Sequence, residues 1–248
     1  MIEKIFQIFY DKLPAKMEDI MPAYDRCKLV TCLTPYYMSK MKSSYYSLYE
    51  EFDYITSDGS YPLLINRLMG RPKSIRLSFD MSSMTPVVFN DMVKNHKSLY
   101  VFGAKPDEIE KSVKTIKGFF TNLSISGYHH GYFMNDKKAI VKEIIESGAN
   151  VCIIGMGAPL QDEMAVLLKR AGFIGTVYTC GGFIHQTTDG IMSYPEWTNR
   201  LNVRFIYRWF HEKGVFARTP RQLWGCIRYA YWLKYGKVTK TLWIYFLI

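Results

Sequence analysis

The sequence predicts an α/β protein with a mainly parallel sheet and helices on both faces. Short apolar runs rich in β-branched and aromatic residues alternate with longer runs of helical periodicity, a pattern typical of βα units. The chain has 248 residues, of which 48% are hydrophobic, and a chain of that length can bury a full core. These observations exclude a disordered protein.

Six strands are predicted, each by a short apolar run. They are KLVTCL (28–33), FDYITS (52–57), SLYVFG (98–103), NLSISG (122–127), NVCIIG (150–155) and TVYTCG (176–181). Helical periodicity between and after them predicts helices near 36–49, 60–69, 86–96, 106–119, 136–147 and 160–171. Several of these begin with Pro or Asp, as helix starts do. The order predicts a Rossmann-like body over residues 1–199.

The segment 200–248 differs from the body in charge and in aromatic content. It holds ten basic residues and one acid, a net charge of +9, whereas residues 1–199 hold 22 basic and 21 acidic residues, a net charge of +1. Thirteen aromatic residues lie in the same segment, among them Trp209, Trp224, Trp232 and Trp243. Basic residues interleaved with aromatics suit an anionic membrane surface, so we predict a helical, membrane-docking C-terminal appendage.

Two other interpretations of this basic segment remain open. Nucleic acid would accept the same charge, but no RNA or DNA motif is present and the tryptophans fit a membrane headgroup layer better. The segment could instead be a packed helix pair whose basic face is solvated.

The N-terminus and the cysteines indicate the compartment. The start MIEKIFQIFYDKLP carries acids where a signal peptide has a basic and then an apolar run. The cysteines form no CxxC pair and no cluster at metal-ligand spacing, and they are Cys27, Cys32, Cys152, Cys180 and Cys226. We expect reduced thiols in a cytoplasmic protein, with no metal site and no cofactor.

The candidate site lies in the loops that follow the strands, because ligands of doubly wound sheets bind beyond the carboxyl ends of the strands. These loops are 34–35, 58–59, 103–104, 128–132, 155–161 and 180–186. The glycine turns in YVFGAKPDEIEK (100–111) and IIGMGAPLQDE (153–163) are each followed by a helix start, which favours a phosphate-bearing ligand. Neither has the GxGxxG spacing of a dinucleotide fingerprint.

Asp58 stands directly after the second predicted strand, in Ser57-Asp58-Gly59-Ser60. Asp-Gly is a common turn pair, so the residue could simply shape the turn. A carboxylate at this edge of the sheet could also take a proton from a reacting hydroxyl.

Four pieces in fixed order resemble the WecG/TagA/CpsF family of bacterial glycosyltransferases. They are the Asp-Gly pair at 58–59, GYHHGYF at 127–133, IIGMGAPLQDE at 153–163, and the run from CGGF at 180–183 through YPEW at 194–197 to RFIYRWFHEK at 204–213. The resemblance covers about residues 28–221 and implies the Rossmann-like fold called GT-E, with a basic C-terminal appendage that docks to membrane.

The resemblance also implies the reaction. Members of the family transfer a sugar from a nucleotide diphosphate, usually UDP, to a polyprenyl-diphosphate-linked saccharide at the inner face of the cell membrane, without a metal. They act in capsule, exopolysaccharide and teichoic acid synthesis. The implied partners are therefore a nucleotide-sugar donor, a lipid-linked acceptor and an anionic membrane, with no nucleic acid and with homo-oligomerisation left open.

Residue by residue, the resemblance makes Asp58 the catalytic base. The expected substrate-binding residues are Thr34, Arg76, Gly131, Tyr132, Gly157, Gln161 and His185. We expect backbone N–H groups at Gly131 and Gly157, helped by arginines, to stabilise the departing diphosphate in place of a metal ion. The arginines expected to meet phosphate or membrane are Arg204, Arg208, Arg218 and Arg221, with Arg76 as a further candidate for the diphosphate.

The sequence departs from the family pattern at three positions. Thr34 stands where relatives commonly have Asn, Leu160 where they have Lys, and Ile184 where many have Asp. These changes allow a rival interpretation, a catalytically impaired nucleotide-sugar-binding or regulatory module on the same fold. His129, His130 and His185 are expected to contact ligand or to be structural, since further metal ligands are missing around them.

Overall fold

Six parallel strands form one sheet in a computed structural model, which describes residues 2–59, 61–70, 75–132, 136–188, 190, 210 and 215–235. The strands are β1 Cys27–Leu33, β2 Tyr54–Ser57, β3 Ser98–Gly103, β4 Ser124–His129, β5 Val151–Gly155 and β6 Gly175–Thr179. Their order across the sheet is β2-β1-β6-β5-β3-β4, and every neighbouring pair is parallel. The predicted parallel α/β fold is therefore confirmed.

Helices follow the strands and also cover the sheet from both termini. They are α1 Ile2–Asp11, α2 Pro35–Lys40, α3 Tyr46–Glu50, α4 Tyr61–Leu68, α5 Met84–Lys94, α6 Pro106–Phe119, α7 Lys137–Glu146, α8 Leu160–Arg170, α9 Phe183–Gln186 and α10 Val215–Tyr235. Short 3₁₀ turns lie at Met17–Ile20 and Ser43–Tyr45.

Two apolar layers enclose the sheet because side chains of a strand alternate between its faces. Along β3, Leu99 and Val101 face the layer that holds α5, α6 and α9, whereas Tyr100 and Phe102 face the layer that holds α1, α7, α8 and α10. Helices α5 and α6, which lead from strand to strand in one direction across the sheet, pack on one face of it. Helices α3, α7 and α8, which lead in the opposite direction, pack on the other face. Right-handed crossovers require this arrangement.

Three local features differ from the predictions. The helix expected at 36–49 is split into α2, a 3₁₀ turn and α3. The fourth strand begins and ends two residues later than expected, so that Gly127 lies inside β4, where a Cβ would be 2.6 Å from the ring of Tyr100. Helix α1 was not predicted at all, although Ile5, Phe6 and Phe9 are buried at helical spacing.

Helix α10 packs into the body instead of standing apart from it. Tyr229, Trp232 and Leu233 are buried in the same apolar layer as Phe6 and Phe9 of α1. Trp232 is only 5% exposed, so the expectation that this residue meets a membrane is wrong, whereas Trp224 is 55% exposed. The domain boundary predicted at 199/200 lies outside the described residues.

One contact between α10 and α2 is especially close. A Cβ built on Gly225 would lie 1.9 Å from the carbonyl oxygen of Pro35, so only glycine allows the two helices to approach this closely. Within the described parts of the chain, no helix is both long and apolar enough to cross a bilayer.

Candidate functional site

The carboxyl ends of all six strands lie along one edge of the sheet, because every strand runs in the same direction. The helices that follow β3 and β5 leave toward opposite faces, since α6 packs in one apolar layer and α8 in the other. A crevice for a ligand is expected where neighbouring connections diverge in this way. The sequence-predicted loops therefore converge on one edge.

Glycines form the floor of this crevice. A Cβ on Gly103 would lie 2.3 Å from the Gly155 carbonyl oxygen, and one on Gly155 would lie 2.9 Å from that of Gly181. Gly103 also has a φ of +134°, in the region that favours glycine. The ends of β3, β5 and β6 thus meet backbone to backbone.

Gln161 links the loop after β5 to the loop after β6. Its side-chain oxygen accepts hydrogen bonds from the N–H groups of Gly157, at 3.1 Å, and Gly181, at 3.2 Å, and the residue is buried. The Gly131 N–H donates to the carbonyl of Ala104 at 2.9 Å. The Gly131 and Gly157 amides thus have acceptors inside the protein, and their expected role in stabilising a diphosphate stays a prediction.

The two glycines also allow close packing around the crevice. A Cβ on Gly131 would lie 2.9 Å from the Met156 side chain, and one on Gly157 would lie 3.1 Å from the Tyr37 hydroxyl. Gln161 was expected to contact substrate. The structure shows that it positions the loops, and a direct contact with ligand stays a prediction.

Asp58 lies half-buried directly beyond the end of β2. Its N–H donates to the carbonyl of Leu33 at 3.3 Å, which continues the pairing of β1 with β2 by one residue. Gly59 follows with a φ of +107°, and the Ser57 hydroxyl donates to its carbonyl at 3.4 Å. The Asp-Gly pair therefore does shape a turn, and that turn holds the Asp58 backbone fixed at the edge of the sheet.

A second carboxylate, Asp80, affects the same thiol as Asp58. The thiol of Cys32, at the end of β1, has a pKa raised first by burial and then by the negative charges of Asp58 and Asp80. Both acids thus act on the same atom. Sequence reasoning missed Asp80 because it lies in a methionine-rich loop and not at the end of a strand.

Asp80 organises the loop that carries Arg76. Its carboxylate accepts hydrogen bonds from the Ser78 hydroxyl, at 2.5 Å, and from the Ser82 N–H, at 2.8 Å. Arg76 lies 3.6 Å from the same carboxylate and donates to the Ser78 hydroxyl at 3.2 Å. The spacing Arg76-x-x-x-Asp80 is the sequence signal that could have indicated this pair.

Thr34 and Tyr37 connect α2 to the site. The Thr34 hydroxyl accepts a hydrogen bond from the Tyr37 N–H at 3.3 Å and so caps α2. The Tyr37 hydroxyl lies against the backbone of Gly157 and Ala158, in the loop after β5. Thr34 therefore has a structural role, and its predicted contact with substrate remains a prediction.

Asp162 is a fully buried acid beneath the same loop. It accepts hydrogen bonds from the hydroxyls of Thr31, at 2.6 Å, and Tyr49, at 3.0 Å. Burial raises the pKa of Asp162 to about 7, although these two hydrogen bonds act in the opposite direction. Through these two hydrogen bonds the Asp162 carboxylate of α8 links β1 to α3 in the interior, below the crevice.

The histidines lie at the β3–β4 end of the edge. His130 accepts a hydrogen bond from the Tyr132 N–H at 3.2 Å through Nδ1, and the Tyr132 side chain is exposed. His185 of α9 lies 3.0 Å from the Glu108 carboxylate of α6 and is also exposed. Within the described ranges, no group of three or more His, Cys, Asp or Glu side chains is placed to hold a metal ion.

The predicted tail arginines divide into two pairs. Arg204 and Arg208 lie outside the described residues. Arg218 and Arg221 are exposed on α10 beside Tyr36 of α2, which follows β1 directly.

Comparison with known protein families identifies the family of this chain. The model of the glycosyl transferase WecG/TagA/CpsF family matches residues 4–239, nearly the whole chain. The chain belongs to this family. The resemblance carried by Asp58-Gly59 and the loops after β4, β5 and β6 is therefore confirmed.

Curated members of the WecG/TagA/CpsF family similar to this chain bear specific names. A Shigella boydii protein named UDP-Gal:alpha-D-GlcNAc-diphosphoundecaprenol beta-1,4-galactosyltransferase is 33% identical over 192 residues, 77% of this chain and 80% of that protein. Two others are named N-acetylglucosaminyldiphosphoundecaprenol N-acetyl-beta-D-mannosaminyltransferase. The one from Bacillus subtilis (strain 168) is 26% identical over 66% of this chain. The one from Staphylococcus aureus (strain NCTC 8325 / PS 47) is 25% identical over 66% of this chain. The matches span 63% and 64% of these two proteins, a little under two thirds.

The three departures from the family pattern lie at or near the starts of the helices that follow β1, β5 and β6. Thr34 caps α2. Leu160 is the first residue of α8. Ile184 is fully buried in the apolar layer around α9, so that no polar group faces the crevice from this position.

Proposed function

We propose that this protein transfers a hexosyl residue from a nucleotide diphosphate, UDP in the first instance, to a saccharide carried on undecaprenyl diphosphate. The observation that carries the proposal is the position of Asp58, fixed beyond β2 at the ligand-binding edge of a WecG/TagA/CpsF family fold. The names of both relatives specify a GlcNAc-diphosphoundecaprenol acceptor, and the name of the Shigella boydii relative also specifies a UDP-linked donor. The product would be an intermediate of a cell-surface polysaccharide.

The reaction needs one proton acceptor and one stabiliser of negative charge. The acceptor hydroxyl oxygen forms a bond to the anomeric carbon while the bond from that carbon to the diphosphate oxygen breaks. Asp58 takes the hydroxyl proton, and the electron pair leaves with the diphosphate of UDP. A positioned carboxylate base contributes about 10²–10⁴-fold to such a step.

Arginine is our candidate for stabilising the departing diphosphate. The Gly131 and Gly157 amides are already bonded within the protein, so charged side chains must supply more of the stabilisation. Arg76 suits this role, because Asp80 and Ser78 hold its guanidinium in place. A guanidinium presents paired donors that match phosphate oxygens.

The protein would act as a peripheral protein on the inner face of the cell membrane. The exposed outer face of α10 carries arginines together with Trp224 and Tyr231, a composition that suits anionic headgroups. A lipid-linked acceptor would be available only at that surface. The departure at Thr34 would then help to set the donor sugar, since single contacts in such pockets decide between similar sugars.

Asp58→Asn tests the proposed function. We expect turnover to fall at least about a hundredfold, as the loss of a general base does, with the unfolding midpoint and the affinity for UDP nearly unchanged. The measurement is UDP release with a panel of UDP-sugars and GlcNAc-diphospholipid as acceptor. Turnover within a few-fold of the wild type would remove Asp58 from the mechanism, and no transfer from any donor by the wild type would favour the impaired binding module.

A chelator tests the expected independence from metal. We expect UDP-sugar to bind and transfer to proceed at the same rate with and without EDTA, because arginines take the place of a cation. Activity lost in EDTA and restored by Mg²⁺ or Mn²⁺ would contradict this expectation.

A further inference from the structure

Three cationic side chains converge on one tyrosine where α10 meets α2. The Lys40 ammonium lies 4.3 Å from the centre of the Tyr36 ring, and the Arg218 guanidinium lies 5.9 Å from it. Hydrogen bonds from Lys40 and from Arg221 lower the pKa of the Tyr36 hydroxyl. We call Tyr36, Lys40, Arg218 and Arg221 the cationic corner.

The cationic corner contains no acid. Among the residues that the structure describes, none of its three cations lies within ion-pair distance of a carboxylate. By contrast, Lys169 and Arg170 of α8 both pair with Glu51 at 3.1 Å. Like charges held together repel one another, so an arrangement of this kind gains from an anion that bridges them.

The corner is fixed relative to the catalytic edge. Tyr36 neighbours Tyr37, whose hydroxyl reaches the Gly157 loop, so one short helix joins the corner to the crevice. The close approach of Gly225 to Pro35 holds α10 against the same helix. Six residues of α-helix span only about 9 Å, so one substrate molecule is long enough to reach from the corner to the end of β1.

Exposed apolar side chains also lie on α10, close in sequence to the corner. Leu223, Trp224 and Ile227 are each more than half exposed and lie within two turns of Arg221. A ligand that matches both surfaces carries phosphate at one end and hydrocarbon at the other.

We propose that the cationic corner binds the diphosphate of the polyprenyl-linked acceptor, separately from the diphosphate of the nucleotide donor. This inference rests on the proposed function. It adds Lys40 and Tyr36 to the binding residues, and it assigns Arg218 and Arg221 to the acceptor and not to the departing UDP. Two guanidinium groups and one ammonium, three positive charges in all, exceed and can neutralise the two negative charges of a diphosphate diester, and the hydrocarbon chain runs over the exposed apolar side chains of α10.

Binding of farnesyl diphosphate in the presence of saturating UDP tests the proposal, because UDP fills the donor site. We compare the wild type with the triple variant K40Q/R218Q/R221Q and with the single variant R221Q. We expect the triple variant to bind farnesyl diphosphate at least about tenfold more weakly, with a smaller loss for R221Q. The affinity for UDP should stay the same.

The matched control is K111Q/K114Q/K117Q, which removes three exposed lysines from α6 and causes the same change in net charge. It should bind farnesyl diphosphate within about twofold of the wild type, since α6 packs on the opposite face of the sheet from α2 and α10. An equal loss in the control would show an effect of net charge alone and would overturn the assignment.

Two further probes separate the sources of phosphate. Inorganic pyrophosphate should bind more weakly than farnesyl diphosphate, and equal affinity for the two would mean a site for free phosphate. Vesicles of phosphatidylglycerol test the membrane surface. If the triple variant lost only vesicle binding, the corner would be a membrane contact and the proposal would fail.

Failure of this inference can be told apart from failure of the proposed function. If the protein transfers no sugar, the binding of farnesyl diphosphate still reports on the corner. If transfer occurs and the corner binds acceptor, the triple variant should raise the KM for the lipid-linked acceptor and leave the KM for the UDP-sugar unchanged. No change in either KM would contradict the assignment.

Discussion

On its inner face α10 presents Gly225, Arg228 and Trp232 to the body, whereas on its outer face it presents Arg221 and Trp224 to solvent. Each of the two faces carries an arginine and a tryptophan. Arg228 donates hydrogen bonds to the carbonyls of Met38, Ser39 and Met41 at the end of α2. Arg221 lies instead beside the Tyr36 hydroxyl of the same helix.

This difference shows that residue type does not decide the role of a basic or aromatic side chain in this segment. The sequence groups all of them as one docking surface. The contacts divide them into a structural set, which holds the helix against the catalytic edge, and an exposed set, which is available to ligands.

Gly225→Ala should have the largest effect on this division. The added Cβ would lie 1.9 Å from the Pro35 carbonyl oxygen, so the helices must move apart, and we expect a loss of at least about 2 kcal/mol in the free energy of unfolding. Urea denaturation measures it. An independent appendage predicts no loss.

The matched control for this change is Gly118→Ala. Gly118 lies in α6 with nothing within 4 Å of an added Cβ. It should gain about 0.5–1 kcal/mol from helix propensity. If both variants gained stability, the close contact between α10 and α2 would be refuted.

Arg228→Gln should have the next largest effect. The guanidinium hydrogen-bonds to three carbonyls at 2.7–3.4 Å, and its loss leaves the end of α2 without these donors. We expect a cost of about 1–3 kcal/mol in the free energy of unfolding. Arg221→Gln, on the outer face, should change it by no more than about 0.5 kcal/mol. Equal costs for the two variants would erase the distinction between the faces.

The tryptophans give the smallest effect, a spectral one. Trp224 is 55% exposed and Trp232 is 5% exposed. If the outer face meets a bilayer, anionic vesicles should shift tryptophan emission to the blue, and Trp224→Phe should reduce this shift whereas Trp232→Phe should leave it unchanged. A shift that depends on Trp232 and not on Trp224 would mean that the helix detaches from the body on binding.

Most of the sheet could be predicted from the sequence. All six strands appear within two residues of their expected positions, because a buried parallel strand is a short apolar run that can be recognised locally. Asp58 could be found for the same reason, since it directly follows such a run. The signal for α1 was also present, in the helical spacing of Ile5, Phe6 and Phe9.

Contacts between distant parts of the chain could not be predicted in this way. Gly225 and Pro35 touch although about 190 residues separate them, and the three carbonyls that bind Arg228 end α2 where the sequence predicts one longer helix.

By itself, the sequence determined which segments are strands and helices, the family, and the acid at the end of β2, since each of these depends on residues that are close in the chain. The tertiary structure alone decided the strand order, the burial of Trp232 and the internal use of the Gly131 and Gly157 amides. A hydrogen-bond donor is available to a ligand only if no other part of the protein has taken it. That is a property of packing, which brings together groups that no local pattern relates.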